Sequence, residues 1–157
     1  MQGLDSFKGV RFGHVSGDFK CWDNNLTSLE GAPQSVDGSF WCHYNKLTSL
    51  EGSPQSVGGT FFCYKNNLTS LEGAPQSVGW DFNCSWNKLT SLKGLPMEIK
   101  GGIDLDFNPI SKEIEPMVRG MSEDEEKFFL KFVSASKATD KESLERIAKS
   151  IERMRMI

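Results

Sequence analysis

A unit of 21 residues recurs along this chain, and that period limits the possible folds more than any other feature. One copy runs Phe61-Phe62-Cys63-Tyr64-Lys65-Asn66-Asn67-Leu68-Thr69-Ser70-Leu71-Glu72-Gly73-Ala74-Pro75-Gln76-Ser77-Val78-Gly79-Trp80-Asp81. Others begin at Phe19, Phe40 and Phe82, and a truncated one begins at Ile103. A unit this short cannot bury a core by itself. Stacked on its neighbours it can, so the period implies a solenoid with parallel strands about 4.8 Å apart.

Comparing copies separates positions held by the scaffold from positions left free. The constant apolar columns are Phe19/Phe40/Phe61/Phe82/Ile103, Cys21/Cys42/Cys63/Cys84/Leu105 and Leu26/Leu47/Leu68/Leu89/Ile110, followed by Leu29/Leu50/Leu71/Leu92 and Val36/Val57/Val78/Ile99. Phe61 and Cys63 are two apart and share one face of a strand. Asn24, Asn45, Asn66, Asn87 and Asn108 follow three residues after each Cys or Leu, where an amide can turn the chain and bond to unpaired backbone. Gly31, Gly52, Gly73 and Gly94 suit a turn with positive φ. Pro33, Pro54, Pro75 and Pro96 then favour an extended return over a long helix.

Phe-x-Cys-x-x-Asn-x-Leu-x-x-Leu resembles the strand-and-turn half of the leucine-rich repeat, L-x-x-L-x-L-x-x-N/C-x-L. Phe61, Cys63, Asn66 and Leu68 fall on the fourth, sixth, ninth and eleventh positions; Val57, one residue early, replaces the first Leu. The pattern is similar to the short repeats of bacterial effector proteins, and the Leu-Thr-Ser-Leu-Glu-Gly-Ala-Pro-Gln-Ser-Val-Gly runs also resemble repeat proteins of large tailed bacteriophages and their hosts. The resemblance covers roughly residues 4–110. It implies an α+β repeat protein: a leucine-rich repeat solenoid with one parallel β-sheet, little helix in the repeats, and a helical C-terminal cap. Repeat families share a scaffold and not a chemistry, so function needs its own evidence.

The chain divides into an N-terminal cap or half repeat (1–18), repeats with four full copies and one partial (19–110), and a helical C-terminal cap (111–157). In the first part, Leu4-Asp5-Ser6-Phe7-Lys8-Gly9 echoes Leu-Thr-Ser-Leu-Glu-Gly irregularly. In the last, residues 112–120 suit a short helix interrupted by Pro116. Ser122 with Glu125 makes a capping box for a helix through about Ser136, with Phe128, Phe129, Phe132 and Val133 as its apolar residues. Thr139 with Glu142 opens another, with Leu144, Ile147, Ala148, Ile151 and Met154 at helical spacing. The simplest role for these helices is to cover the last strand; a separate partner-binding or dimerising hairpin is the alternative.

The formal net charge is −3, and residues 1–110 carry 8 Lys/Arg against 11 Asp/Glu, so the basic stripe of a nucleic-acid binder is missing. The N-terminus resembles no signal peptide and no apolar run suits a membrane span, so a cytoplasmic protein is expected. Cys21, Cys42, Cys63 and Cys84 occupy equivalent core positions. A linear ladder does not converge on a tetrahedral ion, and no C-x-x-C is present. No cofactor is implied. His14 and His43 lack a nucleophilic partner, and motifs for phosphate loops, zinc proteases and nucleophile elbows are absent, so an enzyme is not expected. Asp104-x-Asp106-x-Asn108 imitates a calcium loop, but Pro109 stands where that loop needs Gly.

Function should sit where the copies differ. The residues flanking the core pair face outward: Lys20/Trp41/Phe62/Asn83/Asp104 and Trp22/His43/Tyr64/Ser85/Asp106, with Asp23/Tyr44/Lys65/Trp86/Phe107 at the strand exit. Three of the four Trp and both Tyr lie in these columns; Trp80 interrupts the glycine column before the strand. Cross-strand aromatic pairing accounts for some of this. A contact surface accounts for the Trp and Tyr better. The resemblance makes this sheet face the concave binding surface. Lys20, Trp22, Trp41, His43, Tyr44, Phe62, Tyr64, Lys65 and Trp86 are the expected partner-binding residues, with Asp104 and Asp106 as an acidic corner for a partner's Lys or Arg. The expected function is a non-enzymatic protein-binding module; the resemblance to bacteriophage repeat proteins implies a phage-encoded inhibitor directed at a bacterial host protein such as a defence or regulatory factor. Carbohydrate binding and a structural, self-associating virion role are the alternatives; oligomeric state is left open.

Overall fold

The computed structural model describes residues 3–136 and 141–154. The repeats form a parallel β-solenoid, and each turn contributes two short strands. One ladder runs through β1 (His14–Val15), β3 (Ser35–Val36), β5 (Ser56–Val57), β7 (Ser77–Val78) and β9 (Glu98–Ile99). The other runs through β2 (Phe19–Lys20), β4 (Phe40–Trp41), β6 (Phe61–Phe62), β8 (Phe82–Asn83) and β10 (Ile103–Asp104). The expectation of a single sheet is therefore corrected to two. The Val columns pair as strictly as the Phe columns, every residue opposite its counterpart in the next turn: Phe40 beside Phe61, Val57 beside Val78.

Register follows from identity. Phe40 stacks on Phe61 at 5.4 Å and Phe61 on Phe82 at 5.5 Å, with planes 6° apart, so like side chains fill like slots along the axis. Phe40, Phe61, Phe82, Leu47, Leu68, Leu89, Leu50 and Leu71 are fully buried, as are Cys42, Cys63 and Cys84. The Cys63 and Cys84 thiols point along the ladder, Sγ donating to the carbonyls of Asn83 and Asp104 at 3.4 Å. Burial pushes the Cys21 thiol up to about 12 and also raises the Cys42 and Cys63 thiols well above their ordinary value, so these sulfurs stay protonated packing atoms.

The asparagines form a second internal ladder. Asn66 Nδ2 donates to the carbonyls of Cys63 at 3.1 Å and of Cys42, one turn back, at 3.0 Å; its Oδ1 accepts from Leu47 N–H at 3.0 Å. Each amide thus stitches two turns at the bend. At the opposite bend, Gly73 has φ +84°, and a Cβ there would collide with the backbone nitrogen of Glu51.

Three helices close the C-terminal end: α1 (Ser111–Val118), α2 (Glu123–Ser136) and α3 (Lys141–Met154). Pro116 lies inside α1 without ending it; so short a helix forfeits one backbone bond there. Ser122 and Glu125 form the capping box, with Ser122 N–H on Glu125 Oε2 at 2.7 Å. Ser134 Oγ of α2 donates to Leu92 O of the last full turn at 2.7 Å, and α3 packs on both α1 and α2. The inner face of α2 is Phe129, Leu130 and Val133, whereas Phe128 and Phe132 turn outward. That corrects the expected apolar set: Leu130 faces the core in their place. Leu144, Ile147 and Ala148 of α3 are buried as expected; Thr139 and the side chains of Ile151 and Met154 lie outside the described residues.

Candidate binding face

The Phe ladder puts Phe and Cys inward and its alternate residues outward. The three variable columns therefore form one surface, each stacked along the solenoid axis.

The strand-exit column has an unusual backbone. Asp23, Tyr44, Lys65, Trp86 and Phe107 all have φ between +53° and +57°. This left-handed region costs a residue with a Cβ roughly 1–2 kcal/mol. The next residue is the ladder Asn, whose amide holds the bend from the inside, so the strain is imposed by the scaffold at every turn. Gly or Asn would fit there more cheaply; instead the chain places Tyr, Lys, Trp and Phe. Lys65 Nζ donates to Tyr44 Oη at 2.7 Å and lies 4.5 Å from the Tyr44 ring and 5.5 Å from the Trp86 ring. Trp86 in turn stacks on Phe107 at 4.0 Å.

In the middle column Trp22 stacks on His43 at 5.6 Å and His43 on Tyr64 at 4.3 Å, planes 4° and 14° apart. In the third, Lys20 lies over Trp41, and Trp41 packs on Phe62 at 4.4 Å. Rings stacked on one another share their faces and turn their edges outward. Trp22, Tyr44, Trp86 and Phe107 are 44–63% exposed. Trp41, Phe62 and Tyr64 are half-buried between them.

His43 differs from expectation. It occupies the outward column, but its neighbours cover it to 5% exposure. A partner meets the rings around it and not the imidazole. Burial lowers its pKa, partly opposed by the Asp23 carboxylate. His43 Nδ1 and Trp41 Nε1 are both buried with no hydrogen-bond partner among the described residues. Each such group costs about 1–3 kcal/mol. The centre of this face thus favours ring contact over polar satisfaction.

Towards the C-terminus the face becomes polar. Asn83 Nδ2 donates to Asp104 Oδ2 at 3.0 Å, and Asp106 N–H donates to Asp104 Oδ1 at 3.0 Å. Asp104 and Asp106 line a hollow of about 350 Å³ with Ile103, Ile114, Glu115 and Glu126. Burial, then Glu123 and Asp106, raise the Glu126 pKa. Two residues outside the expected set belong here. Phe107 stood in the exit column, but neither Trp nor Tyr singled it out. Glu126 is brought in by α2, which sequence period does not place. Trp80, 67% exposed, stands apart at a corner before β8.

Comparison with known proteins finds no matching family model, curated protein or solved structure. Fold and face define the chain as a parallel β-solenoid with a helical C-terminal cover and one aromatic flank.

Proposed function

We propose that this chain is a non-enzymatic protein-binding module whose working surface is the aromatic flank of the Phe ladder. The observation that carries this reading is the set of strained, exposed aromatics at the strand exit. The scaffold would be more stable with Gly or Asn at these positions, yet Tyr44, Trp86 and Phe107 hold left-handed φ and stay exposed. Trp and Tyr preorganised by stacking supply contact area at low entropic cost, as at interface hot spots.

Ring orientation favours a protein over a carbohydrate. Sugar rings pack on free aromatic faces, but here most faces are taken by neighbouring rings or by Lys65. Edges and exposed rims suit the mixed apolar contacts of a protein surface. The likeness of the repeats to bacteriophage sequences suggests a bacterial host protein, a defence or regulatory factor in the cytosol, as the partner.

Affinity capture from bacterial lysate with the wild-type chain and a Trp41→Ala/Tyr64→Ala variant tests this. A partner held by the first and lost by the second, with unchanged circular dichroism, is expected. The same partners on both overturns the assignment.

A further inference from the structure

The two ladders do not begin together. β1 pairs with β3 and opens the Val ladder within the cap, whereas the Phe ladder opens only at β2, which follows β1 in the chain. The cap thus supplies a Val strand with no Phe strand beside it, and β2 is an open edge. The Phe19 and Cys21 N–H groups donate forward to the Ser39 and Trp41 carbonyls, so the N–H and C=O of Lys20 point the other way, along that edge. The asparagine ladder is incomplete at the same place. Asn45, Asn66, Asn87 and Asn108 each donate to a carbonyl one turn back; among the described residues Asn24 Nδ2 reaches only Cys21 and Trp22 of its own turn. Phe19 has Phe40 stacked on one side, planes 11° apart, and meets Phe7 and Phe12 edge-on at 62° and 71°. Beside it lies an apolar hollow of about 290 Å³ walled by Leu4, Phe7, Val10, Phe12, Phe19 and Cys21, which Lys20 and Asn24 also line.

We propose that this edge receives an extended segment of a partner protein, added parallel to β2 as one more strand of the Phe ladder, with a bulky apolar side chain in the hollow and a small apolar one two residues on. Continuity with the ladder sets this chemistry. Every later Phe strand has such a strand on its N-terminal side, in parallel register, with a Phe and a Cys turned inward. Backbone bonds to Lys20 supply affinity, and the hollow supplies selectivity. Charge points to the residue between the two inward ones. It comes to lie directly across from Lys20, as Trp41 does on the other side. Lys8 and Arg11 outnumber Asp5 on the cap, and none of the three is in an ion pair among the described residues. An acidic residue therefore suits that position. A second copy of this chain fits less well: α1, α2 and α3 close its C-terminal end, so it offers no free Phe strand there to continue the ladder. The proposal adds a second contact to the protein-binding reading and does not depend on the rings of the flank.

The test uses the full chain and a blocked, reduced Phe-Glu-Cys-Tyr-Lys-Asn peptide, which copies residues 61–66 with Glu at the outward second position. The Lys20 amide resonance should shift saturably, and its hydrogen exchange should slow roughly tenfold as the N–H gains an acceptor. Ser-Glu-Ser-Tyr-Lys-Asn, without the inward apolar pair, should bind at least about tenfold more weakly. Lys20→Pro removes the edge donor at a position where an edge strand tolerates proline, and Val10→Asp puts a charge in the wall at an exposed residue. Each should weaken binding about tenfold. Phe107→Asn, at the far end of the ladder, should change nothing. No saturable shift, equal binding of the two peptides, or full binding by both Lys20→Pro and Val10→Asp overturns the assignment. So does slow Lys20 exchange in the free chain together with a dimer mass in light scattering, which would make the occupant a second copy. If the peptide fails but Trp41→Ala/Tyr64→Ala still loses its captured partner, the edge is wrong and the flank stands. If the peptide binds and that variant keeps every partner, the flank is wrong and the edge stands.

Discussion

The two ladders of this solenoid are built on the same turns, in the same register, around the same core, yet they show opposite surfaces. Outward residues flanking the Val column are His14/Ser35/Ser56/Ser77/Glu98 and Ser16/Asp37/Gly58/Gly79/Lys100. Those flanking the Phe column include Trp22, Trp41, Phe62 and Tyr64. One ladder stands with serine and glycine outside, so the fold does not require rings on its outer face. The aromatics of the other ladder therefore need a reason beyond pairing.

That contrast can be broken first at the core. Phe61→Ala should cost about 3–5 kcal/mol in denaturant unfolding, because a fully buried ring leaves a gap between two stacked neighbours. Phe62→Ala, next in sequence but outward, should cost far less. Equal losses would make the outer rings structural. Next in size is Asn66→Ala, which strands Leu47 N–H inside the bend, while the Cys42 and Cys63 carbonyls keep Asn45 and Asn87 as donors; about 1–3 kcal/mol should be lost.

A smaller effect has the opposite sign. Asp23→Gly should stabilise the chain by about 0.5–1 kcal/mol, by removing left-handed strain and returning part of the gain as backbone entropy. A loss of stability would show that the exit column is not strained. The smallest effect is on pH. Burial holds His43 below its ordinary value of 6.5, so the unfolded chain takes up the proton first as pH falls. Its stability contribution is complete above that value and fades as pH drops from it towards the lower folded pKa. His43→Phe, which keeps the ring without the proton, should flatten this part of the thermal-stability profile relative to wild type.

These contrasts also show how much was legible in residues alone. The solenoid, the core columns and the capping box at Ser122 could be read because each repeats or follows a local hydrogen-bond rule. The second ladder was hidden: its strands are as short as those of the Phe ladder but carry one apolar residue each, and Ser-Val beside glycine does not look like a sheet. The left-handed exit was hidden too, since Gly or Asn usually marks one. Here the marker is the following asparagine, which holds the bend from the next position. The outward columns alternate with the core as expected, but His43, covered by stacking, and Ser85 of the same column are buried, which the alternation alone does not indicate. Glu126 could not be assigned to the site because only the packing of α2 brings it there.

The most direct measurement is denaturant unfolding of a Trp22→Ser/Tyr44→Asn/Trp86→Asn variant. Stacked cross-strand pairs are worth about 0.2–1 kcal/mol each, and Asn relieves strain at two of the three sites, so stability should stay within about 2 kcal/mol of wild type. A loss as large as that of Phe61→Ala would mean the rings hold the solenoid together and would contradict a surface reserved for a partner.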